Sequence, residues 1–224
     1  MTAPGAGRRT LRGDWRVYVI TAGSSQARGR SHLEIAEAAI RGGATAVQLR
    51  MKDAPAGTIV ETARRIGARC REAGVALIVN DRVDVALASE ADGAHVGQQD
   101  LPAAAARALL GASLFLGVSA ATADEARAAA RDGADYLGVG AVYATATKAD
   151  AGDAVGLARI REVAAASDLP VVGIGGITVG NAAAVIRAGA AGVAVITAVT
   201  MAEDMAEATR LLRQEVDRAR GGTA

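Results

Sequence analysis

Residues 43–53 read Gly-Ala-Thr-Ala-Val-Gln-Leu-Arg-Met-Lys-Asp. The stretch opens on a glycine suited to stop a helix in the left-handed conformation. It passes through a short run with apolar residues facing both ways, the pattern of a strand buried on both sides in parallel sheet. It then ends in charge. Gln48, Arg50 and Lys52 are spaced by two, so on an extended chain they point the same way. A fold that buries such a strand and gathers its charged end with others would be α/β.

The pattern recurs along the chain. Short apolar runs lie at 16–21, 46–49, 75–79, 94–97, 114–118, 136–140, 171–174 and 193–196. Between them stand Ala-rich stretches with charges on one face, at 33–41, 57–73, 83–89, 103–110, 123–131, 157–166, 181–188 and 202–218. Strands alternating with helices argue for α/β architecture. Gly43-Ala44, Gly93-Ala94, Gly133-Ala134 and Gly189-Ala190 precede the second, fourth, sixth and eighth runs. Each pair is read as ending a helix and opening a strand. A two-strand, two-helix quarter used four times predicts a closed TIM (β/α)8 barrel rather than an open sheet.

Composition sets the limits. The 224 residues are 51% hydrophobic, enough for a sizeable core, and 25 basic residues balance 24 acidic ones to a net charge of +1. No basic stripe interleaved with aromatics appears, so no nucleic-acid partner is expected. No apolar run is long enough to span a membrane. The one cysteine, Cys70, cannot pair within the chain; it fits a reducing compartment, and a cytoplasmic location is expected. Residues 1–13, rich in Gly, Pro and Arg, read as a disordered tail. No linker divides 14–220, which is expected to form a single barrel domain. Homo-oligomerisation is left open.

Polar residues collect where the apolar runs stop: Thr21; Gln48, Arg50 and Lys52; Asn80, Asp81 and Arg82; Gln98, Gln99 and Asp100; Ser119; Thr145, Thr147 and Lys148; Gly175-Gly176; Thr197. In a barrel these ends share one face, the face that holds active sites. Arg50, Lys52 and Lys148 suit phosphate or pyrophosphate. Asp81 and Asp100 are hard oxygen ligands, and Mg²⁺ is commonly held by one or two carboxylates plus substrate phosphate. Gly175-Gly176 let backbone N–H groups approach a second anion. Each residue also has a plainer reading. Asp81-Arg82 could open a helix with a surface ion pair, and Asp100 before Leu101-Pro102 has the look of an N-cap. His95 reads as a satisfied core residue, His32 as structural or exposed, Cys70 as helix packing, and Trp15 and Phe115 as core or edge residues. These readings do not explain why polar groups gather at one end of strand after strand.

Six motifs, in order, carry a resemblance: Gln48-Leu49-Arg50-Met51-Lys52, Asn80-Asp81-Arg82, Gly97-Gln98-Gln99-Asp100, Gly117-Val118-Ser119, Thr145-Ala146-Thr147-Lys148 and Gly173-Ile174-Gly175-Gly176-Ile177. The chain resembles the thiamine phosphate synthase family over about residues 16–199. That family, of transferases, joins 4-amino-2-methyl-5-hydroxymethylpyrimidine diphosphate to 4-methyl-5-(2-hydroxyethyl)thiazole phosphate, releasing pyrophosphate. The resemblance implies that Gln48, Leu49, Arg50, Met51, Lys52, Asn80, Ser119 and Lys148 hold the pyrimidine diphosphate. Among these, Arg50, Lys52, Ser119 and Lys148 would act in catalysis. Asp81 and Asp100 would bind Mg²⁺. Thr145, Ala146, Thr147, Gly175, Ile196 and Thr197 would hold the thiazole phosphate.

Departures from the family pattern are Met51 in place of a usual Glu, Ala22 in place of a frequent Asp, Ala141 and Tyr143 in place of Pro and Phe, Thr197 in place of Ser, and Ala121 where many relatives have His. Three rival readings remain: a thiazole tautomerase on the same barrel, a Schiff-base aldolase using Lys148, and a silent binder of thiamine precursors. The full set of Arg50, Lys52, Asp81, Asp100 and Lys148 argues against the first; the second needs a desolvated Lys148, whereas Arg50 and Lys52 suggest an anion there.

Overall fold

The computed structural model describes residues 13–145 and 154–221. Most of the expected N-terminal tail, residues 1–12, lies outside the described residues, as do Ala146, Thr147 and Lys148. Eight parallel strands close into a barrel in sequence order: β1 (Val17–Ile20), β2 (Ala46–Leu49), β3 (Ala76–Asn80), β4 (Gly93–Val96), β5 (Phe115–Ser119), β6 (Tyr136–Val139), β7 (Val171–Ile174) and β8 (Gly192–Val195). The seam is sealed by β1 against β8, with Tyr18 opposite Ala194.

Helices cover the outside: α1 (His32–Arg41), α2 (Ala56–Ala73), α3 (Val83–Ser89), α4 (Ala103–Leu110), α5 (Ala123–Arg131), α6 (Gly156–Ala166), α7 (Val179–Arg187), α8 (Thr197–Thr200) and α9 (Met205–Gly221). Their apolar stripes explain the placement. In α2, Ile59, Ala63, Ile66, Gly67 and Cys70 are buried at helical spacing, a stripe that packs on the strands. Cys70 is therefore helix packing, and burial pushes its thiol up to about 12. Ser31 and Glu34 form a capping box that starts α1, satisfying two N–H groups left over at the helix end.

Two cores result from strand alternation. Outward residues such as Val47, Leu49, Leu116 and Val139 pack under the helices. Inward residues, among them Tyr18, Ala46, Ile78, Tyr136 and Val172, fill the barrel. Trp15 plugs the amino-terminal end. It stacks on Tyr136 with ring centroids 3.9 Å apart and meets Phe115 edge-on at 5.2 Å.

The quarter repeat needs one correction. Gly43, Gly133 and Gly189 do stand in the left-handed region. Gly93 opens β4 as expected but does not end a helix: Glu90 takes the left-handed position after α3. Gly93 is small for another reason, since a Cβ there would sit 2.1 Å from the Phe115 carbonyl oxygen. Asp100 is likewise not an N-cap. The cap position of α4 is Pro102, and the Asp100 carboxylate accepts from the Gly97 N–H at 2.7 Å. Arg82 forms an ion pair with Asp84 at 2.6 Å, not with Asp81.

Candidate active site

At the carboxyl end of the strands a cavity of about 900 Å³ opens. β2 delivers Arg50 and Lys52 to it; β3 delivers Asn80 and Asp81. Alternation places these side chains. Val47 and Leu49 belong to the outer core, so Gln48 and Arg50 point inward. Met51 packs against the outer core and faces the helices. Leu49 and Met51 thus flank the cavity strand with their side chains turned away. Gln48 points inward but sits deeper: it is 3% exposed, and its Nε2 donates to the Tyr18 hydroxyl at 2.9 Å. It does not line the cavity with Arg50 and Lys52.

Arg50 is held by its own backbone. Thr21 N–H donates to the Gln48 carbonyl in the β1–β2 ladder. The next acceptor is not a carbonyl but the Thr21 hydroxyl, which takes the Arg50 N–H at 3.1 Å. The same hydroxyl meets His32 Nδ1 at 2.7 Å. His32 is therefore structural, bracing Thr21 from α1, and burial lowers its pKa. Ala22, next in the chain, is buried in the inner core.

Asp81 and Asp100 converge. Asp81 has φ of 62°, a conformation uncommon outside glycine and best tolerated by Asn and Asp. Its pKa is raised to about 6 by burial first, then by a hydrogen bond and repulsion from Asp100; Lys52 and Arg50 pull the other way. Two adjacent carboxylates beside two cations form an oxygen donor set that fits a hard divalent ion completed by substrate oxygens. No group of three or more His, Cys, Asp or Glu side chains suited to a metal occurs among the described residues. The protein alone thus offers only part of a coordination shell.

The far wall comes from β6, β7 and β8. Thr145, Gly175, Gly176, Ile196 and Thr197 line it. Gly175 carries φ of 97° and passes so near Ala141 that a Cβ would lie 2.6 Å from it; no other residue fits there. Thr197 begins α8, a short helix directly after the last strand and one that the sequence reading left out. Ala121 also lines the cavity.

Two residues escaped the sequence reading. His95 faces the cavity and bonds Ser119 Oγ through Nε2 at 3.0 Å. The signal was parity: Ala94 and Val96 lie in the outer core, so the residue between them must face in. Gln26, in a 3-10 turn over Ser24–Gln26, also lines the cavity, and no pattern in the sequence marks it.

Known proteins place this arrangement. The sequence model for thiamine monophosphate synthase matches residues 17–199. A thiamine-phosphate synthase of Moorella thermoacetica is 56% identical over 207 residues, 92% of this chain and 98% of that protein. One from Chloroflexus aurantiacus is 56% identical over 201 residues, 89% of this chain and 92% of that protein. Among solved structures, a thiamine phosphate pyrophosphorylase of Pyrococcus furiosus superposes with a TM-score of 0.84 at 39% identity, covering 93% of this chain and 98% of its own. A match that runs from β1 past β8, joined to identity above one half along nearly the full length of relatives, leaves one conclusion: the chain belongs to the thiamine monophosphate synthase family.

Proposed function

We infer that this protein is a thiamine-phosphate synthase, a transferase that joins the pyrimidine diphosphate to the thiazole phosphate and releases pyrophosphate. The observation that carries the reading is the convergence of Asp81 and Asp100 beside Arg50 and Lys52 in one cavity. Carboxylates and cations are mixed there as a metal-bound pyrophosphate requires.

The pyrimidine diphosphate lies with its phosphates toward Arg50, Lys52 and Asn80. Arg50 offers a planar two-donor fork, and Lys52 a compact charge. When the carbon–oxygen bond to pyrophosphate breaks, negative charge grows on the departing oxygens. Arg50 and Lys52 both line the cavity, and cations fixed beside those oxygens would supply preorganised electrostatic stabilisation. Lys148 joins them on the strength of the family likeness. Asp81 and Asp100 would hold Mg²⁺, which supplies further charge neutralisation to the leaving group. The aminopyrimidine stabilises the methylene cation, and the thiazole nitrogen then closes the new bond. No general base is needed.

Thr145, Gly175, Ile196 and Thr197 would seat the thiazole phosphate, together with Ala146 and Thr147. Phosphate sites after strands seven and eight, at the start of a short extra helix, recur in barrels. We place the enzyme in the cytoplasm, supported by the lone thiol Cys70. Incubation with both substrates and Mg²⁺ should yield thiamine phosphate and pyrophosphate in equal amounts. Isomerisation of the thiazole phosphate with no coupling would identify a tautomerase instead, and binding with no turnover of either substrate would identify a silent binder.

A further inference from the structure

A line of hydrogen bonds runs through the barrel beneath the cavity. Gln48 Nε2 donates to Tyr18 Oη at 2.9 Å. Tyr18 Oη lies 2.9 Å from Tyr136 Oη, which lies 3.2 Å from His95 Nδ1. His95 Nε2 lies 3.0 Å from Ser119 Oγ, and Ser119 lines the cavity. We propose that this chain runs one way, fixing His95 as its neutral Nε2–H tautomer and turning the Ser119 hydroxyl into a donor aimed at an acceptor atom of the pyrimidine diphosphate. The proposal rests on the pocket being the pyrimidine diphosphate site.

The direction follows from counting protons. Gln48 spends an N–H on the Tyr18 oxygen. Tyr18 is 2% exposed, and its one proton has the Tyr136 oxygen as its remaining neighbour in the chain. A buried donor left without an acceptor is unfavourable, so Tyr18 donates to Tyr136. Tyr136 is fully buried, and its own proton must then go on to His95 Nδ1. With Nδ1 accepting, a neutral imidazole carries its proton on Nε2. That proton is given to Ser119 Oγ. The Ser119 hydroxyl proton has no place left in the chain and points to the ligand.

The barrel makes room for this chain. Gly117 and Gly138 take inward positions on β5 and β6. A Cβ at Gly117 would lie 2.4 Å from His95 Nδ1 and 2.4 Å from Tyr136 Oη, and one at Gly138 would lie 2.9 Å from His95 Cε1. Barrel interiors are ordinarily filled with branched apolar side chains. Two neighbouring strands here give up that filling to seat an imidazole and a phenol. Gln98 Nε2 also donates to the Ser119 carbonyl at 2.5 Å, fixing the backbone that carries the hydroxyl. His95, Tyr136 and Tyr18 are positioning residues: they act on the substrate through Ser119.

Nitrogen NMR of the labelled imidazoles tests the tautomer directly. The chain has two histidines, and His95→Gln identifies the signal of interest. The expected spectrum of the ligand-free wild type shows His95 with a protonated Nε2 and a bare Nδ1. A protonated Nδ1 would overturn the proposal, and that reading needs no other variant to fold. Tyr136→Phe removes the donor to Nδ1, so the tautomers should mix. kcat/KM for the pyrimidine diphosphate should then fall roughly two- to tenfold, the worth of one neutral hydrogen bond, with KM for the thiazole phosphate unchanged. In a Ser119→Ala background Tyr136→Phe should have no further effect on kcat/KM; an undiminished loss there would also overturn the chain. Should the wild type make no thiamine phosphate, the functional reading falls, while the spectrum still decides the tautomer.

Discussion

Arg50 and Met51 are neighbours in sequence with opposite surroundings, and that contrast is the most direct test of the site. Arg50 lines the cavity, while Met51 packs against the outer core. Arg50→Ala should be severe, since losing a charge-assisted contact to growing pyrophosphate charge costs about 2–4 kcal/mol, or roughly thirty- to a thousandfold in kcat/KM. Arg50→Lys should recover part of this, because an ammonium lacks the planar fork. Met51→Glu, which restores the usual family residue, should stay near wild type; damage equal to that of Arg50→Ala would mean that the alternation breaks after Leu49. Asp81→Asn is the matching test for the metal. Asn tolerates the positive φ of Asp81 as well as Asp does, so the fold should hold while the Mg²⁺ concentration for half-maximal turnover rises. An unchanged Mg²⁺ dependence would remove Asp81 from the metal site. At this scale the charged residues were legible because strand parity and strand ends can be read from spacing alone. Gln48 faces inward as its spacing requires but sits below Arg50, 3% exposed, since spacing gives the direction of a side chain but not its height in the barrel. His95 was missed because Ala94 and Val96 looked like its company in a core, when they face the other way.

At the scale of elements, local signals and tertiary demands divide cleanly. α1 begins where its capping box says, with Ser31 and Glu34 exchanging hydrogen bonds. Ser31→Ala should lower stability by about 1 kcal/mol and Tm by about 2–4 °C. It should leave kcat and KM unchanged, because the exposed cap lies outside the residues lining the cavity; altered kinetics would show that α1 transmits strain to the mouth through His32. Strand positions were legible from apolar runs, and most helices from one-sided charge. Two short elements were not. The 3-10 turn at Ser24–Gln26 and α8 at Thr197–Thr200 are too short to show periodicity. They are held by long-range contacts instead: Thr200 Oγ1 donates to the Gln26 carbonyl at 2.5 Å, and Arg30 Nη1 donates to the Thr200 carbonyl at 3.1 Å and, just past α8, to the Ala202 carbonyl at 2.6 Å. Such partners lie some 170 positions apart in the chain, beyond the reach of any local reading. The Gly-Ala echo failed at Gly93 for a similar reason, because the demand there is set by Phe115 on the next strand.

At the scale of the whole molecule, the first strand is tied to the last helix below the site. Arg16, just before β1, pairs with Asp217 of α9 at 2.9 Å, and Trp15 closes the floor on Tyr136. The mouth is built from the segments that follow all eight strands, Gln26 after β1 included, so a ligand bound there touches most of the barrel at once. Local unfolding of one strand would destroy the site, and binding should therefore stabilise the global fold. The product pyrophosphate isolates this effect from chemistry. At a free concentration of the Mg²⁺ complex near a hundred times its Kd, linkage gives about 2.7 kcal/mol, and for a chain of this size Tm should rise by about 5–11 °C. Pyrophosphate without Mg²⁺ should give much less, since Asp81 and Asp100 would then repel it. Asp81→Asn should weaken the shift under Mg²⁺, and Arg50→Ala should nearly abolish it. Ser31→Ala should start from a lower Tm yet gain the same increment, because its defect lies outside the ligand's reach. If pyrophosphate raised Tm equally with and without Mg²⁺, the anion would be held by Arg50 and Lys52 alone, and the paired carboxylates would need another partner.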